Sequence, residues 1–127
     1  MKKTLILLTL LCFSNAFSQK IEIKKDLVYI DGKECLKISG DSNNVSFSDL
    51  DGNEIIFLKF VHDSKYATLY NKITFLGQEV QFTSQSYIFT KKLLINKLVA
   101  DKTLDNCKLD SEKVKKFAIK YDENVEN

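Results

Sequence analysis

Six consecutive residues, Asp49-Leu50-Asp51-Gly52-Asn53-Glu54, gather oxygen-bearing side chains densely enough to suggest hard-cation binding. As an EF-hand loop the string fails, because Gly52 stands fourth rather than sixth and Phe60 occupies the place of the bidentate glutamate. A two-residue Asp51-Gly52 turn would set Asp49 opposite Glu54, a like-charge pair that a cation relieves and solvent relieves equally. No metal and no cofactor are therefore assigned. The single histidine, His62, offers a general base for a small hydrolase working with loop carboxylates, although no pair of them is singled out by spacing. No G-x-S-x-G elbow accompanies it, and one histidine with distant cysteines lacks zinc-ligand spacing.

The cysteines carry a different chemistry, and their meaning depends on the N-terminus. Lys2 and Lys3 precede an apolar run from Leu5 to Phe13 that is too short to span a bilayer, and Ala16-Phe17-Ser18 has signal-peptidase spacing. Residues 1–18 thus read as an export signal with cleavage before Gln19, leaving no transmembrane anchor and a periplasmic or secreted product. Cleavage after Ala16 is the second choice. Lipid attachment at Cys12 is disfavoured, since Leu11 occupies the position before it where a small residue is required. Cys35 and Cys107 remain, an even count in an oxidising compartment, and they are assigned as a disulfide. Two free thiols are the alternative, because sequence does not show whether the chain brings them together.

Loss of Lys2 and Lys3 leaves equal numbers of basic and acidic residues, and every basic residue is lysine. Without arginine forks or a net positive field the chain has no electrostatic footprint for nucleic acid.

The elements that must position these groups divide into two regions. From Lys20 to Thr83 short alternating runs are punctuated by turn residues, which predicts an antiparallel meander of about 5–7 strands. Asp31-Gly32 joins Leu27–Ile30 to Lys33–Ile38, Asp51-Gly52 joins Val45–Asp49 to Glu54–His62, and Gly77 joins Tyr66–Phe75 to Val80–Thr83. In the second hairpin Phe47 faces Ile56 and Val45 faces Leu58, so these residues and Phe60 share the core face. Beyond Thr83 the period becomes helical. Thr90 caps a helix over 91–101, and Asp110 caps another over 111–121, whose Val114, Phe117, Ala118 and Tyr121 form one stripe. Both helices are expected to pack on the face bearing Ile56, Leu58 and Phe60, in a single α+β domain spanning 19–127 with residues 121–127 frayed.

Alternation then directs Phe57, Lys59, Tyr66, Tyr70 and Lys72 to the opposite face. Aromatic, hydroxyl and ammonium groups in mixture suit recognition of an acidic or hydroxylated partner. The plainer alternative is a set of ordinary cross-strand pairs. As a recognition surface, Phe57, Tyr66 and Tyr70 should form one solvent-accessible patch covered by neither helix.

The signal ending FSQ, the segment YNKITFLGQEVQFTSQSYIFTKKLLINKL and the closing KLDSEKV and KYDENVE resemble small exported proteins of the Bacteroidota. That resemblance covers most of the chain after the signal and implies an envelope or secreted setting without an activity. The function expected is an exported, non-catalytic binding module for an envelope protein or an extracellular ligand. A small envelope hydrolase and an inhibitor of a foreign enzyme are the alternatives.

Overall fold

The computed structural model describes residues 19–127, and the expected signal, its cleavage site and Cys12 lie at or before the first of these. Seven strands follow one another in both sequence and space: β1 (Ile21–Lys24), β2 (Leu27–Ile30), β3 (Lys33–Gly40), β4 (Asn44–Ser48), β5 (Glu54–His62), β6 (Leu69–Phe75) and β7 (Val80–Ser84). Every neighbouring pair is antiparallel. Helix α1 (Lys91–Ala100), a small hairpin of β8 (Leu104–Asp105) and β9 (Lys108–Leu109), and helix α2 (Ser111–Tyr121) complete the α+β arrangement. Among the described residues no helix is long and apolar enough to cross a membrane.

Turn chemistry explains most of the meander. Asp31 and Gly32 both have positive φ, at 52° and 81°, as the reversal between two right-twisted strands requires. Gly40 ends β3 with φ of 100°, and a Cβ there would lie 1.9 Å from the Asn44 carbonyl oxygen, so only glycine fits. The β1–β2 hairpin turns at Lys25-Asp26, again with positive φ at 50° and 64°, but without the glycine that would have announced it.

Two expectations about the central strands need correction. Val45 pairs with Leu58 and Phe47 with Ile56 as the alternation demands, yet a bulge after Phe47 then sets Ser48, not Asp49, opposite Glu54. Asp49 turns inward on its own loop, its carboxylate accepting from the backbone N–H groups of Asp51 and Asn53 and from the Asn53 side-chain amide at 2.9–3.0 Å. Those hydrogen bonds, the Asn53 amide first, hold the carboxyl below the usual aspartate range. Glu54 accepts instead from the Ser46 hydroxyl, and the like-charge pair does not form. The second correction is at β6, which starts at Leu69. Tyr66 lies before it in a 63–68 loop, where Asp63 has φ of 50° and the Ser64 hydroxyl accepts from Tyr66 N at 3.0 Å.

The helices cover the expected face. Thr90 Oγ1 accepts from Leu93 N at 3.2 Å and Asp110 Oδ1 from Glu112 N at 3.1 Å, satisfying donors that a bare helix start would leave unpaired. α1 lies against β1 and α2 against β7, at the two edges of the sheet. Leu94, Ile95, Leu98, Val114 and Phe117 join Ile56, Leu58, Ile73 and Phe75 in one buried cluster. Phe89, from the irregular segment between β7 and α1, adds its ring to this core and fixes its amide on the Asn71 side chain, itself fully buried in β6. Cys35 on β3 and Cys107 in the β8–β9 turn are bonded, with Cα atoms 5.3 Å apart. The small hairpin is thereby tied to the main sheet.

Candidate functional site

Residues Phe57, Lys59, Tyr70 and Lys72 occupy the sheet face turned away from the helices, because β5 and β6 are in full register. Phe57 faces Thr74, Val61 faces Tyr70, and Lys59 faces Lys72 directly. Two ammonium groups in directly opposed positions repel, and the structure supplies their counter-ion. Glu126 takes a 2.9 Å hydrogen bond from Lys72 Nζ through Oε1 and a 2.6 Å bond from the Tyr70 hydroxyl through Oε2. These two donors, with the nearby charges of Lys72 and Lys59, hold the Glu126 carboxyl below the usual glutamate range. Burial, and then the bond to Glu126, push the Tyr70 hydroxyl above its ordinary value.

The tail reaches this face by passing around the edge of β7. Thr83 points its backbone outward, and Asp122 Oδ1 accepts from its N–H at 3.2 Å while Glu123 N donates to its carbonyl at 2.8 Å. Val125 N then donates to Thr83 Oγ1 at 2.8 Å. The Glu123 carboxylate accepts from the amides of Gln85 and Ser86 and from the Ser86 hydroxyl, which together lower its pKa, the hydroxyl contributing most. Residues 122–127 are thus docked in the structure, where a frayed end was expected. With the tail across it, Tyr70 is only 2% exposed, so the expected open patch is not there. Tyr66 stands apart on the 63–68 loop, 41% exposed, with Lys65 Nζ 5.1 Å from its ring centre, and Phe57 is half-buried. Two of the five expected residues, Tyr70 and Lys72, bond one carboxylate, and Lys59 adds its charge nearby. The complement, Glu126, was missed; a lysine pair facing across two strands was the signal that an acid was needed.

Acid should loosen this contact. A carboxyl whose folded pKa is lowered contributes stability that is complete above its unfolded value and is lost as pH falls through the folded value. Glu123 and Glu126 are both lowered from 4.5, so tail docking should weaken as pH drops below that point. The check is an NMR titration of the Thr83 and Val125 amides from about pH 7 to pH 3. Both should shift together, Val125 toward its free-chain position and Thr83 toward that of an unbonded strand edge, and Glu123→Gln with Glu126→Gln should flatten the response.

A second concavity lies at the end of the sheet formed by the 49–53 and 76–79 turns. The β8–β9 hairpin, held by the disulfide, forms its far wall. The groove measures about 510 Å³. Leu50, Ile55, Leu76, Leu109 and the Cys35–Cys107 bridge supply apolar surface, while Lys33, Lys108, Glu34 and Asp51 stand among them as charged groups. Leu50 is 42% exposed, one of three large apolar side chains so open to solvent among the described residues. No local motif marks this groove, because its walls come from turns far apart in the chain.

His62 is elsewhere. Its Nε2 lies 3.0 Å from Asn43 Oδ1, at the opposite end of β5 from the 49–53 turn. At about 3.3 Å per residue the strand separates His62 from the acidic groups of the groove by roughly 25 Å. The histidine and those carboxylates therefore do not form one site. Among the described residues no group of three or more metal-binding side chains is assembled. No protein-family model, no curated protein and no solved structure matches the chain.

Proposed function

We propose that this protein is an exported module that works by binding, and that its ligand lies in the groove beside the disulfide. The groove is the observation that carries this reading. Its volume of about 510 Å³ falls in the range of ligand sites, and its apolar walls interleaved with charged side chains resemble the lining such sites share. The Cys35–Cys107 bond supports export, since such bonds persist in oxidising compartments. It also fixes the hairpin wall, which lowers the ordering cost of binding. An amphiphilic ligand, with an apolar part against Leu50, Ile55 and Leu109 and a polar part toward Lys33 or Lys108, matches this lining.

Leu50→Glu tests the assignment with little risk to the fold, because changes at exposed positions usually stay within about 0.5 kcal/mol. Native mass spectrometry of protein recovered from the exporting cells is expected to show a non-covalent adduct on the wild type and its loss from the variant. An adduct retained equally by both would place the ligand elsewhere. A wild type that carries none, and takes up no neutral apolar dye in a manner sensitive to Leu50→Glu, would count against binding in the groove.

A further inference from the structure

The opposite face supports an inference independent of the groove. We infer that Lys59, Tyr70, Lys72 and the outer edge of β7 form a receptor for an extended acidic segment of a partner protein, and that residues 122–127 occupy it in cis.

The chain's own tail shows what the surface accepts. Thr83 offers backbone N–H, carbonyl and hydroxyl to one extended segment, and all three are engaged, by Asp122 Oδ1, Glu123 N and Val125 N. One of these bonds, Glu123 N to the Thr83 carbonyl, joins main chain to main chain as in strand-edge recognition, while the Asp122 carboxylate on the Thr83 N–H already favours an acidic residue at that position. Further selectivity enters through the two glutamates. Glu123 collects amides and a hydroxyl at the 84–86 turn, while three residues later Glu126 reaches Tyr70 and Lys72 beneath the field of Lys59. An incoming segment with carboxylates at that spacing finds both positions already built. The directly opposed lysines make vacancy costly, because removing an acid restores their repulsion. A basic or neutral segment leaves that repulsion in place, so charge selects against it.

The latch is also of a strength that exchange requires. The Glu126–Lys72 pair is about one-third exposed on each side, and Glu126 is carried by a segment outside the buried apolar cluster. The exposed ion pair contributes about 0–1 kcal/mol and the bonds to Thr83, Gln85 and Ser86 supply the rest of the hold, while none of residues 122–127 belongs to the buried apolar cluster. A partner segment can therefore take the place of the tail without disturbing the sheet.

The test uses the full chain and a fluorescently labelled, N-acetylated Asp-Glu-Asn-Val-Glu-Asn peptide as probe. Glu123→Gln with Glu126→Gln weakens the tail in cis and leaves the receptor side chains intact. Fluorescence anisotropy is expected to show at least about tenfold tighter binding of the peptide to this variant than to the wild type. Adding Lys72→Ala to the variant should remove the gain, and a peptide with glutamine in place of both glutamates should bind neither protein. If the double variant does not fold, Glu126→Gln alone answers the question, with an expected gain of at least about threefold. Equal binding to wild type and released variant overturns the proposal, as does binding that survives Lys72→Ala. A released variant that dimerises by exchanging tails, seen by analytical ultracentrifugation, overturns it in favour of self-association. None of these readouts depends on Leu50, so failure here leaves the groove assignment standing.

Discussion

Phe117→Ala is expected to destabilise the protein by about 3–5 kcal/mol, the range for truncating a large aromatic in a packed core. Phe117 is 2% exposed, and its ring centre lies 4.8 Å from that of Tyr121, 5.9 Å from Phe82, 6.1 Å from Phe75 and 6.3 Å from Phe89. It joins α2 to β6, β7 and the segment before α1, so no single neighbour can close the space it leaves. The energy comes from lost burial and from lost edge-to-face contacts. Urea unfolding of wild type and variant measures the cost, and Ile119, on the same helix but 80% exposed, provides the control. Ile119→Ala should stay within about 0.5 kcal/mol. A cost below about 1 kcal/mol for Phe117→Ala would mean that α2 does not rest on the sheet as described.

The double substitution Cys35→Ala with Cys107→Ala is expected to cost about 4 kcal/mol. The bond closes a span of 72 residues, and the chain-entropy account gives that figure for a loop of such length, within the 2–5 kcal/mol usual for native disulfides. Reduction of the wild type should reproduce the loss, and thiol titration of denatured, unreduced protein should find no free cysteine. The damage should be felt first at β8–β9, whose strands have only two residues each and which otherwise hold to the core through Leu104 and Leu109. A reduced protein as stable as the oxidised one would remove the bridge as a stabilising element.

Local chemistry made much of the fold legible. Asp31-Gly32 announced its hairpin, the alternation through Val45, Phe47, Ile56 and Leu58 fixed a register that the structure reproduces, and Thr90 and Asp110 marked both helix starts. What escaped notice lacked such local marks. The β1–β2 and β8–β9 turns use Lys25-Asp26 and Asn106-Cys107 in left-handed conformations without glycine. Phe89 comes from a segment with no period, and its place in the core depends on Asn71, 18 residues earlier. Of the expected recognition residues, Lys59, Tyr70 and Lys72 followed from strand alternation alone. Their carboxylate partner did not, because Glu126 lies 56 positions from Tyr70 in a tail with no hydrophobic pattern. Tyr66 was misplaced because the apparent alternation from 66 to 75 ran through a loop.

The contact between Tyr70 and Glu126 has an optical consequence. The chain contains no tryptophan and five tyrosines, so near-ultraviolet absorption and emission belong to tyrosine and are not masked by a stronger fluorophore. A phenol that donates to a carboxylate emits less than one facing water, and of these phenols Tyr70 is the one bonded to the tail. The summed tyrosine emission should therefore rise when residues 122–127 leave Tyr70, which reports docking without any attached label.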